Sequence, residues 1–108
     1  MVDVYTLPLD FVLDNWRPGS AHETLVQKWT WKDEFEWIFK EDDYDKYGLL
    51  VSISRFGLKE PILLGDDWRV WDGHHRIYVC ARLLNRSKIT VVMGKTSYLN
   101  QAPSEGEF

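Results

Sequence analysis

Hydrophobic and polar positions along this chain follow two rhythms, a period of about 2 and a period of about 3.6, and the switches between them mark the elements. VYTLPLDFVL, Val4 to Leu13, predicts a short strand broken at Pro8 and then a helical turn. DNWRPGSAHE reads as a loop around Pro18-Gly19, and Ser20 with Glu23 fits a capping box that opens a helix through Thr24, Leu25, Val26 and Lys28. In Trp29 to Asp45, Phe35, Ile38 and Phe39 fall at helical spacing with Trp31 and Trp37 beside them. Glu41, Asp42, Asp43 and Asp45 then make a polar break. A second helix, roughly Tyr44 to Phe56, is predicted to turn Tyr47, Leu50, Val51 and Ile53 inward and to stop at Gly57.

The next stretch changes period. Pro61 to Leu64 and Trp68 to Trp71 are strand candidates on either side of a Gly65-Asp66-Asp67 hairpin turn. Residues 74–84 place Ile77, Cys80, Ala81 and Leu84 at i, i+3, i+4 and i+7, the stripe of an amphipathic helix. Ile89 to Met93 is a buried strand by its β-branched content, and beyond Gly94 the periodicity is lost. The order of elements predicts an α+β domain, a small mixed sheet with flanking helices.

Composition narrows the class. A chain of 108 residues that is 44% hydrophobic and 28% charged has the balance of one globular domain with one modest core. No apolar run reaches bilayer length, the N-terminus has no signal-like pattern, and the single cysteine, Cys80, fits a reducing cytoplasm. A formal charge of −4 works against broad attraction to DNA, so DNA binding at physiological salt is expected to be weak at most. The remaining route to DNA is a local basic face of Arg76, Arg82, Arg86 and Lys88. Six tryptophans exceed what so small an interior readily hides, which predicts one or two at a surface.

The candidate chemistry lies in WDGHHRIYVCARLL, Trp71 to Leu84. A glycine, two histidines and an arginine stand where a helix begins, and backbone amides with cationic side chains at a helix start suit an anion. The plainer reading is a helix cap whose polar residues are merely exposed. A metal site is not expected, because His74 and His75 are adjacent, about 100° apart around a helix, instead of one turn apart. His22 would have to arrive from elsewhere in the chain.

Ser52 to Met93, together with the opening strand, resembles the ParB N-terminal and sulfiredoxin-like superfamily. The shared layout is a helix ending at Gly57-Leu58, a Glu60-Pro61 strand entry, a hairpin, an Asp-Gly-x-His-Arg turn into a helix, and a final strand. The resemblance spans about half the chain. It implies a domain over residues 1–100, with an aromatic and acidic elaboration at about 29–45 and a flexible tail at 101–108. It further implies nucleotide phosphates at Gly73, His74, His75 and Arg76, with ATP or CTP and Mg²⁺ as ligands and Glu60 and Asp72 as the candidates for a base. Asp72 could instead orient Arg76.

Members of this superfamily are often labelled ParB-like nucleases, and small copies are typical of phages and plasmids, which implies a bacterial or phage-infected cytoplasm. Nuclease, phosphotransferase and non-catalytic interaction module all stay open as readings. His74 stands where sulfiredoxins carry their cysteine, so sulfinic-acid repair is not expected. Trp31, Trp37 and Phe39, interleaved with acids, predict a surface for a protein partner or a second copy.

Overall fold

The computed structural model describes residues 3–19, 29–42, 45 and 47–95. The capping box at Ser20 and Glu23 with its helix, His22, Asp43 and the tail at 101–108 lie outside the described residues.

Strand β1, Val4–Pro8, leads directly into helix α1, Leu9–Asn15, with Pro8 as the residue before the first turn. A two-residue strand, β2 (Arg17–Pro18), follows. Helix α2 spans Trp31–Lys40 and helix α3 spans Leu49–Phe56. Strands β3 (Ile62–Gly65) and β4 (Arg69–Asp72) form the predicted hairpin. Helix α4, His74–Tyr78, continues without a break into a π-helical turn over Val79–Leu83, and β5 (Lys88–Gly94) ends the sheet.

The five strands lie in the order β1-β5-β3-β4-β2, antiparallel at β1/β5 and β3/β4 and parallel at β3/β5 and β2/β4. This mixed sheet carries the α+β class expected from the sequence. Its core joins Ile62, Leu64, Val70, Ile89 and Val91 from the strands to Val12, Ile38, Ile53, Ile77 and Val79 from the helices. No helix among the described residues is long and apolar enough to cross a membrane.

Three local readings need correction. Arg17–Pro18 is a strand because the Arg17 N–H donates to the Trp68 carbonyl at 2.8 Å, a tertiary bond that local turn signals cannot report. Tyr47 and Val51 point outward, at 64% and 59% exposure. The reason is that α3 starts after Gly48, which takes a left-handed conformation at φ 66°, so the helix registers on Leu49, Leu50 and Ile53 instead. The buried face after Gly73 is wider than predicted: Ile77 and Cys80 are buried and Ala81 and Leu84 pack on the core as expected, but Tyr78 and Val79 are buried as well. There the Leu84 amide bonds to the Val79 carbonyl five residues back.

Helix α2 begins with a complete capping box. The Asp33 N–H donates to Thr30 Oγ1 at 3.2 Å, and the Thr30 N–H donates to Asp33 Oδ2 at 3.0 Å. These bonds, the one from the Thr30 backbone foremost, hold the Asp33 carboxyl below its ordinary range.

Candidate functional site

The turn between β4 and α4 is built around Gly73, at φ 112° and ψ 20°. A Cβ here would sit 2.7 Å from Ile62 Cδ1, so both the backbone angle and the space require glycine. The Ile77 amide bonds to the Gly73 carbonyl at 2.9 Å. The amides of His74, His75 and Arg76 before it therefore have no partner within the helix. They face a cleft of about 510 Å³ between this turn and the end of α3, with Tyr47, Leu58, Lys59 and Glu60 among its walls.

Arg76 is the brace of the site. Its Nη1 donates to the carbonyls of Glu60 and Pro61 at 2.7 and 2.9 Å, and its Nη2 donates to Asp72 Oδ2 at 3.1 Å. The guanidinium has five donors, so three tie the entry of β3 to the start of α4 and two are left over for a ligand. The side chain is 13% exposed, whereas its partner Asp72 is 70% exposed.

The two histidines diverge. His74 turns toward β2, where its Nε2 accepts the Gly19 N–H at 3.0 Å and its ring lies 5.9 Å from that of Trp31. An accepting Nε2 carries no proton, which fixes the neutral tautomer with hydrogen on Nδ1. Burial holds His74 below its ordinary value, with the charges of Glu34 and Asp72 pulling the other way. His75 turns to the rim, where its Nε2 donates to Asp42 Oδ2 at 2.9 Å and its ring meets that of Tyr47 edge-on at 5.3 Å.

The charges around the cleft are balanced. Lys59, Arg76 and, when protonated, His75 face the carboxylates of Asp42, Glu60 and Asp72. Attraction for an anion here comes from the helix-start amides and the spare Arg76 donors, with little from net charge. Glu60 is exposed; its backbone carbonyl, not its carboxylate, holds Arg76. Among the described residues no group of three or more His, Cys, Asp or Glu side chains could hold a metal ion. Cys80 is buried, and burial pushes its thiol up, so it is a core residue without thiolate chemistry.

The aromatic trio proposed for a partner is spread over different surroundings. The Trp31 indole N–H donates to the Trp16 carbonyl at 2.7 Å and the ring packs on Phe35, so Trp31 is committed to the fold. Trp37 is half-buried against the core, and Phe39 is 61% exposed. The surface tryptophan is Trp68, at the β3–β4 turn and 57% exposed.

Two residues escaped the sequence reading. Asp42 stands in the polar break of the sequence, where no local signal pairs it with His75. Glu34 is 2% exposed and accepts the Trp29 indole N–H at 2.7 Å. It had a signal: Trp31, Glu34, Phe35 and Ile38 fall at i, i+3, i+4 and i+7, which puts the carboxylate on the buried stripe.

Searches of family models and of curated proteins find no match to this chain. Among solved structures, a Pnob8-like ParB-N domain superposes with a TM-score of 0.55 at 10% sequence identity, covering 94% of this chain. The match takes in 33% of that structure's chain, so this chain spans about a third of its length. At that identity the likeness is one of fold, and the fold is ParB-N-like.

Proposed function

We propose that the cleft at the Gly73 turn binds the phosphates of a nucleoside triphosphate, ATP or CTP, together with Mg²⁺. One observation carries the reading: a helix start opened by a left-handed glycine, with three amides free of intrahelical bonds, lines a cleft of about 510 Å³. The resemblance of the Asp-Gly-His-His-Arg turn to the superfamily's phosphate turn points the same way. The chain's own contribution is the amides of His74, His75 and Arg76, the two spare Arg76 donors, and Lys59 at the lip. Mg²⁺ would offset the nearby carboxylates, and phosphate oxygens and water would supply most of its ligands.

Calorimetric titration with ATP, CTP and GTP, with and without Mg²⁺, tests this. Binding of at least one nucleotide is expected, weakened in Lys59→Ala. Absence of heat with all three under both conditions overturns the reading. Phosphoryl transfer or hydrolysis would need a base, for which the exposed Glu60 carboxylate is better disposed than Asp72, already bonded to Arg76. Chromatography of the titrated nucleotide reads that out in the same sample.

A further inference from the structure

We propose that the groove between α2 and the α4–π helix is a docking site for an acidic peptide segment bearing an apolar side chain. The proposal is independent of the nucleotide cleft. Two adjoining hollows of about 370 and 340 Å³ share Lys32, Phe35 and Arg82 as their common wall. The second also takes in Phe39, Lys40 and Leu83.

Charge selects the occupant. Lys32, Lys40 and Arg82 are exposed, and among the described residues none of them makes an ion pair or a hydrogen bond. Glu36 lies one helical turn from each lysine, on the same groove, and pairs with neither. Arg82 is exposed and its guanidinium carbon lies 5.1 Å from the Phe35 ring centre, a cation–π contact that places its charge over an apolar surface. Lys32, Lys40, Arg82 and Arg86 outnumber Asp10 and Glu36 along the two hollows, so in a chain of 17 acids and 13 bases this groove is locally positive and suits a partner's carboxylates.

The walls select a peptide over a nucleic acid. Phe35 is buried as a floor, Leu83 is half-buried, and the exposed Phe39 ring stands at the rim. This is a seat for a leucine or phenylalanine side chain with acids on either side. A phosphodiester backbone would bring no apolar group to the seat formed by Phe35, Phe39 and Leu83.

The probe is a fluorescein-labelled peptide of sequence Glu-Asp-Leu-Glu-Phe-Asp-Glu-Leu, followed by fluorescence anisotropy without nucleotide. Saturable binding is expected, weakened about tenfold or more (~1.4 kcal/mol) by the double change Lys40→Glu with Arg82→Glu, and by less in Phe39→Ala. The same peptide with every acid replaced by lysine should not bind. Amide shift changes in the NMR spectrum of the unaltered protein should fall on Lys32 to Lys40 and around Arg82, a readout that needs no variant to fold. The proposal is overturned by no binding, by equal affinity in a folded double variant, by shifts at the Gly73 turn instead, or by tighter binding of a single-stranded oligonucleotide.

Discussion

His74 and His75 are neighbours in the chain and serve opposite sides of one turn. His74 faces inward: its ring is packed on Trp31, its Nε2 accepts the Gly19 amide, and burial keeps it neutral. His75 faces the rim and reaches Asp42, in the segment between α2 and α3 that the family resemblance does not cover. Arg76 belongs with His74 on the structural side, since most of its guanidinium is occupied by carbonyls and Asp72. A conspicuous polar motif is thus divided between holding the turn in shape and presenting its surface. The lesson is that a motif's polar side chains and its backbone can have separate tasks.

The largest effect that would break this division is expected from Arg76→Ala. It leaves two backbone carbonyls and a carboxylate without their donor and should cost about 3 kcal/mol of stability, measured by urea denaturation. Arg76→Lys should recover only part, because one ammonium lacks the planar fork. A loss below about 0.5 kcal/mol in Arg76→Ala would move Arg76 to the ligand side.

Next, Gly73→Ala should cost about 2 kcal/mol through its positive φ and the approach to Ile62. Ile62→Val removes the Cδ1 atom that the new methyl meets. The double variant should therefore lose less than the sum of the two single losses.

A smaller effect separates the histidines by pH. His74 is held below its ordinary value of 6.5 in the folded chain. Above that pH neither state protonates it, and its full contribution is present. As pH falls below it, the unfolded chain takes up the proton first, so stability declines, by up to about 1.4 kcal/mol per pH unit, until the folded value is passed. His74→Gln, whose amide oxygen can still accept from Gly19, should flatten this slope by that amount in denaturation curves between neutral and mildly acidic pH. An unchanged slope would remove His74 as its source.

The smallest stability effect is expected on the rim. Asp42→Asn and His75→Ala should each cost about 1 kcal/mol, the loss of one hydrogen bond in a half-buried pair. His75→Ala should nonetheless weaken nucleotide binding by calorimetry. A large stability loss there would make both histidines structural and erase the contrast.

The elements that were legible in the sequence are those whose signal is local. The β3–β4 hairpin, β5 and the stop at Gly57 rest on turn glycines and β-branched runs, and they stand within a residue or so of where the pattern puts them. The Gly73 turn was legible as a helix start because glycine and the following stripe coincide there. What was not legible is set by distant partners: the strand character of Arg17–Pro18 comes from Trp68, and the separation of the two histidines comes from Gly19 and Asp42. The capping box at Thr30 and Asp33 lay in plain view, overshadowed by the aromatic run that follows it.

One feature of the sheet sets the order in which the chain can acquire its shape. Val4 pairs with Val92 and Pro8 with Lys88, so among the described residues the first strand finds its sheet neighbour at the far end. During synthesis, β1 must wait until almost every other element has left the ribosome. Local units such as the β3–β4 hairpin close early, while β1 and the parallel β3–β5 seam close late, which makes for slow folding. Until that last pairing, β5 presents an open edge to other nascent copies, and chaperone binding or aggregation competes with completion of the sheet.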